Sequence, residues 1–321
     1  MPLDGDRRAG GASTAASVPS SPGLAEVADG VYAYVQPDGS WWVNNAGLVA
    51  DGDECLLFDT CATAARTDAL TAAIHEVTSA RVGTVVNSHE HSDHTHGNSR
   101  FPGAAIVSHP NAREALARRG IVRRAAGFTP FDVGDLELAL PTRTFDDRLS
   151  VQVGEHRCEL IAAGRPAHTR GDIVLWLPDR GVLFAGDLLM NGVTPLFMSG
   201  SVSGTRQVLE ETLRPLSATH ILPGHGPLGG AELIEAALRY CEFVERVARS
   251  ALRRGKSPLD AARDADPGEF EGWLDPERLV ANLYREMGEL SGLAPGERFD
   301  YAAAMRDMAD LAGTPLLVTR A

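Results

Sequence analysis

Apolar positions follow two regimes. Up to residue 230 they come in short runs bounded by Gly, Pro, Asn and Asp with helical stretches between them; beyond it they recur at helical spacing. Residues 31–36 and 41–49 predict two strands joined by a Pro37-Asp38-Gly39-Ser40 turn, and a third strand is expected over 55–59. Residues 63–77 predict a helix with Leu70, Ile74 and Val77 on one stripe. A strand over 82–86, a short helix over 98–101, a strand over 104–108 and a helix over 111–119 complete an α/β alternation. From Leu149 the runs shorten to a meander at 149–153, 158–162, 173–177 and 182–185. A helix over 204–216 capped by Ser203 and a last strand ending in Pro223-Gly224-His225-Gly226 follow.

The remainder reads as helices over 231–254, 259–264, 275–290 and 301–311, with Asp275 as cap and Pro276 at the first helical position. Leu279, Leu283, Met287 and Leu290 form an apolar stripe that must be buried, as part of a lid or of a homodimer interface. Residues 120–147 have no period, because Gly127, Pro130, Gly134 and Pro141 interrupt it, yet Phe128, Phe131 and Phe145 supply aromatic surface. Such an insertion is a substrate wall or a strap over a sheet edge. Residues 1–23, rich in Gly, Ala and Ser without an apolar core segment, are expected to be a disordered tail.

Composition narrows the function. With 43 acidic against 30 basic residues the net charge is −13, which argues against a nucleic-acid surface. No run has the length of a membrane span. Cys55, Cys61, Cys158 and Cys241 are too sparse for a disulfide framework and fit a cytoplasmic protein with reduced thiols.

The chemistry concentrates where strand 82–86 ends, in Asn87-Ser88-His89-Glu90-His91-Ser92-Asp93-His94-Thr95-His96-Gly97-Asn98. Imidazoles and a carboxylate at that density suit zinc, and also iron or manganese; the bland reading is a polar surface loop. Further along stand His168 in a loop, Asp187 after an apolar strand and His225 in the Gly-rich turn. His75, His109, His156 and His220 read as structural or solvated, and His96 as a hydrogen-bonding residue or a proton shuttle.

The ordered set His89-x-His91-x-Asp93-His94, His168, Asp187, His225 resembles the metallo-β-lactamase superfamily over about 30–230. That resemblance implies an αββα sandwich of two mixed sheets with flanking helices over 24–230, and a C-terminal helical extension over 231–321. It implies two Zn2+ ions, with iron or manganese less fitting because His91 stands where iron-using relatives tend to carry a carboxylate. His89, His91 and His168 would hold one ion, and Asp93, His94 and His225 the second, with Asp187 bridging. A hydroxide shared by the metals would be nucleophile or base, and Asp93 a candidate proton acceptor.

Gln36-Pro37-Asp38-Gly39-Ser40-Trp41-Trp42-Val43-Asn44-Asn45-Ala46-Gly47 and residues 192–202 are similar to members associated with aromatic polyketide assembly. They imply a cyclase or thioesterase acting on an acyl-carrier-protein-bound poly-β-ketone, with Trp41, Trp42, Phe197 and Met198 lining an aromatic-tolerant pocket. A general hydrolase of thioesters, lactones or β-lactams is the alternative, and a non-catalytic metal-binding protein a distant one. Arg239, Tyr240 and Arg246 form no convincing glutathione site, and no basic cluster accompanies any motif.

Overall fold

The computed structural model of the chain describes residues 22–36 and 42–320. Trp41, the 37–40 turn and nearly all of the expected tail lie outside the described residues.

Among the described residues the strands form two sheets. In the first, β1 (Gly23–Ala28), β2 (Val31–Val35), β3 (Ala46–Asp51), β4 (Glu54–Phe58), β5 (Thr84–Val86), β6 (Ala105–Ser108) and β7 (Arg143–Thr144) lie side by side in chain order. Pairing is antiparallel as far as β4 and parallel from β4 to β7. The second sheet runs β12 (His220–His225), β11 (Val182–Met190), β10 (Ile173–Leu177), β9 (His156–Ala162), β8 (Arg148–Val153), with only β11 and β12 parallel. Both sheets are therefore mixed, as expected. β1 is an edge strand with no buried residue, so it leaves little alternating pattern in the sequence.

The sheets face each other through Val31, Val49, Leu56 and Phe58 on one side and Leu160, Leu175, Phe184 and Leu222 on the other. Their approach is close at Gly47, where a Cβ would sit 2.3 Å from the Phe184 ring. Outside the first sheet packs α1 (Ala64–Val77), through Leu70 and Ile74. Val77 is 37% exposed and leaves the expected stripe. Outside the second lie the segment after α4 (Val202–Val208) and the start of α5 (Glu232–Arg254). The architecture is the αββα sandwich.

Beyond it, α5, α6 (Pro258–Asp264), α7 (Arg278–Leu290) and α8 (Tyr301–Ala312) bury Leu279 and Leu283 in a further core of their own. Three local readings are corrected. α4 is capped by Ser201, whose Oγ accepts from Gly204 N at 3.0 Å, because Ser203 already lies inside the first turn. Asp275 has φ +54° and gives its carboxylate to the Arg278 side chain and Arg320 N, both at 2.8 Å, so α7 begins only at Arg278. His156 is buried at 5% exposure because it opens β9, under Gly30, instead of riding a solvated turn.

Candidate metal centre

The expected ligands meet at strand ends. β5 delivers His89 and His91 in the bend that follows it, and α2 (Ser92–Thr95) carries Asp93 and His94 in one short turn. His168 comes from the β9–β10 loop, and His225 is the last residue of β12. Asp187 lies within β11, which continues to Met190 through a register shift at Gly186, so the expected strand end at residue 185 is too early.

Two groups form, His89, His91, His168 and Asp187, and Asp93, His94 and His225, with ligand atoms within 4.8 Å of one another in each. His168 Nε2 is 2.9 Å from His91 Nδ1. Asp187 faces both groups: Oδ2 is 3.3 Å from His168 Nε2 and 3.3 Å from His225 Nε2, and Oδ1 is 3.1 Å from His94 Nε2. Asp93 Oδ2 is 3.3 Å from the Nε2 atoms of His94 and His225.

His89 Nε2, His94 Nε2 and Asp187 Oδ1 are buried and make no hydrogen bond. Buried polar atoms that lack hydrogen bonds yet cluster with the other ligand atoms fit a cation-binding centre. Electrostatics divides the imidazoles: against burial, the Asp187 and Asp93 carboxylates hold His94 well above its ordinary value and His225 up to about 9. Burial would raise Asp187 and Asp93, but the surrounding imidazoles hold both well below the usual carboxylate range. Burial, then neighbouring imidazoles, drive His89 and His91 well down toward the neutral, ligating form.

The far nitrogens are fixed from behind. His89 Nδ1 is 2.9 Å from Ser88 Oγ, and His225 Nδ1 donates to Val43 O at 2.6 Å. His94 Nδ1 is 2.9 Å from Asp59 Oδ2, while Asp59 Oδ1 accepts from Ser88 N at 2.7 Å. Acceptors on these nitrogens leave Nε2 free for a cation. Asp59, buried with φ +65°, is a site residue that the sequence signals only as an acid ending an apolar strand. Residues 42–45, expected as strand, are irregular because the site uses their polar groups. Asn45 Nδ2 donates to Pro223 O at 2.9 Å and Gly226 O at 2.7 Å, clamping the His225 turn. Gly224 is required there, since a Cβ would come within 1.9 Å of Asp187 Oδ1.

His96 is spent structurally: Nδ1 faces Ala62 O at 3.3 Å and Nε2 accepts from Val122 N at 3.2 Å. Burial lowers it to about 4, so it is a neutral tie between the ligand loop and the insertion. Glu90 turns away toward Thr169.

The centre opens into a groove of about 1000 Å3. One wall is the insertion, where Phe128 and Phe131 pack edge-on to Trp42 with centroids 6.3 and 4.7 Å away. Residues 143–144 of the same insertion pair with β6, so it is both wall and sheet-edge strap. The other wall is the C-terminal extension. Along α7, Arg278 donates to Thr194 O at 3.0 Å, Asn282 to Pro195 O at 2.8 Å and Arg285 to Met198 O at 2.8 Å, holding the loop after β11. Trp42 and Met198 line the groove. Phe197 does not; it is 2% exposed and faces Tyr240 at 6.3 Å, because its backbone N–H is tied to Asn282 and its ring turned into the helical core.

A ligand cluster of this composition at one edge of an αββα sandwich defines a metal-dependent hydrolase. The chain belongs to the metallo-beta-lactamase superfamily, whose family model matches residues 39–283. It is 28% identical over 222 residues to the metallo-beta-lactamase type 2 of Bacteroides fragilis, covering 66% of this chain and 82% of that protein. It is 28% identical to the human acyl-coenzyme A thioesterase MBLAC2 over 52% of this chain and 66% of that one. Against a hydroxyacylglutathione hydrolase of Thermosynechococcus vestitus it is 28% identical over 41% of this chain, spanning about half (48%) of that relative. Among solved structures, a metallo-beta-lactamase from Pontibacter korlensis superposes with TM-score 0.57 at 17% identity, covering 69% of this chain and 99% of its own. The lactamase fold is thus complete in about two-thirds of this chain.

Proposed function

We propose that this protein is a two-zinc hydrolase of acyl thioesters with a long or aromatic acyl group. The observation that carries the reading is the groove: about 1000 Å3, with the ligand cluster in its lining and Trp42, Phe128, Leu196, Met198 and Met305 along its walls. That space suits an extended acyl chain. Relatives named as acyl-coenzyme A thioesterase and hydroxyacylglutathione hydrolase support the reaction class. An acyl-carrier-protein-bound poly-β-ketone is the narrower substrate, with aldol ring closure as a companion reaction; its support is the resemblance of residues 36–47 and 192–202 to polyketide cyclases.

When bound, the zinc pair would polarise the substrate carbonyl and bring the pKa of water toward neutrality. His89, His91 and His168 would hold one ion, Asp93, His94 and His225 the other, and Asp187 both. The Asp93 side chain is 12% exposed, against 4% for Asp187, so it is the cluster carboxylate with more access to the groove and the one to take a proton. Trp42 and Phe128 orient the acyl chain.

The test is a panel on zinc-loaded protein: acyl thioesters, a poly-β-ketone thioester mimic, lactones and a chromogenic β-lactam, with His89→Ala and Asp187→Ala as controls. Thioesters are expected to give the highest kcat/KM, lost in both variants. Turnover of lactones or the β-lactam without thioesters overturns the reading.

A further inference from the structure

The groove changes character with depth. Its lining holds His91, Asp93, His168, Asp187 and His225 of the ligand cluster together with buried Met190, Met198 and Met308. Toward solvent the lining carries four exposed arginines, Arg119, Arg124, Arg298 and Arg306, in a chain whose net charge is −13. They come from three places: the end of α3 (Pro110–Arg119), the insertion, and the segment leading into and through α8. Sequence order scatters them, and only the fold brings them to one opening. None has an ion-pair partner among the described residues; Arg298 lies over the Tyr301 ring at 5.1 Å. The acids in the lining do not pair with them. Asp93 and Asp187 belong to the ligand cluster, Asp310 is paired with Arg263 at 2.9 Å, and Glu277 makes no ion pair with any of the four among the described residues.

Unpaired guanidiniums gathered at the mouth of an apolar channel match a substrate whose acyl end is greasy and whose carrier end is anionic, and their planar forks suit phosphate oxygens. We propose that Arg119, Arg124, Arg298 and Arg306 bind the phosphate of the phosphopantetheine arm that carries the acyl thioester, an inference that rests on the thioesterase reading. Coenzyme A and an acyl carrier protein both present that phosphate. The apolar walls take the acyl group, the thioester lies at the ligand cluster, and the arm leaves past the arginines.

The experiment compares one acyl group on three carriers: coenzyme A, a phosphopantetheinylated acyl carrier protein, and N-acetylcysteamine, which has the thiol end of the arm and no phosphate. In Arg298→Gln/Arg306→Gln and in Arg119→Gln/Arg124→Gln, the kcat/KM ratio of each phosphate-bearing thioester to the N-acetylcysteamine thioester is expected to fall roughly tenfold, through KM. Added salt lowers the same ratio in the unaltered protein. The ratio does not depend on the active fraction, so partial unfolding does not mimic the result. Whichever phosphate-bearing thioester has the lower KM identifies the physiological carrier. A ratio unchanged in both double variants overturns the inference while leaving the thioesterase reading intact; an unaltered protein that cleaves none of the three overturns the thioesterase reading itself.

Discussion

Asp59 shows how much of this centre depends on residues that would touch no cation. Its two oxygens fix His94 from behind and the backbone of Ser88 next to His89, from a left-handed conformation that an aspartate adopts only at a cost. Asp59→Asn keeps the size but can present an N–H to His94 Nδ1, favouring the wrong tautomer. Metal affinity is expected to fall about 10–100-fold with little change in secondary structure, read by competitive zinc titration alongside circular dichroism; unaltered affinity would contradict the role. The seven candidate ligands were legible in the sequence because the first four lie close together in the chain and the other three stand in strands or in the loop between two. Asp59 and Asn45 were not, since each acts on a segment distant in the chain and nothing local marks it. His156 misled for the same reason: it lies against Gly30 in the β1–β2 turn, far away in the chain.

α7 is the element on which the groove wall depends. Its buried polar residues Arg278, Asn282 and Arg285 recur at helical spacing and hold the backbone of 194–198, so the helix is at once a hydrophobic stripe and a row of loop-binding side chains. The stripe was visible in the sequence; the polar row was not, because its partners lie 84 to 87 residues away in 194–198. One of its residues is a liability. Burial, then the neighbouring Glu289 and Glu245, push Glu286 up to about 7, and its Oε2 has no hydrogen bond. The folded value lies above the ordinary 4.5, so its stabilising contribution is full below about pH 4.5 and is lost as pH rises through about 7. Glu286→Gln is therefore expected to match the unaltered protein in Tm near pH 4.5 and exceed it by a few degrees near pH 8. Parallel Tm curves across that range would contradict the assignment. Apart from β1 and β7, the strand and helix order of the sandwich was legible because most elements carry their own period. Element ends were less so: β11 runs past Asp187, and the helix cap falls on Ser201, because tertiary contacts set them.

At the scale of the molecule, an αββα sandwich supplies the ligands and everything beyond it shapes access to them. The insertion and the C-terminal extension meet directly, Thr129 N donating to Leu317 O at 2.8 Å and Leu317 N to Gly127 O at 2.9 Å, and both contribute residues to the groove lining. Neither the junction nor the four arginines could be read along the chain, since each is assembled from parts far apart in it. The extension, expected from sequence as a lid or a dimer interface, contributes Arg278, Tyr301 and Met305 to the groove lining. No helix among the described residues is long and apolar enough to cross a membrane.

The proposed reaction is cleavage of acyl thioesters in this groove with two zinc ions held by His89, His91, Asp93, His94, His168, Asp187 and His225. The most direct test measures metal content and thioester hydrolysis on one sample before and after chelation. The account predicts about two zinc equivalents per chain, activity that disappears as they are removed, and its recovery when zinc is restored. Hydrolysis undiminished in metal-stripped protein would contradict it.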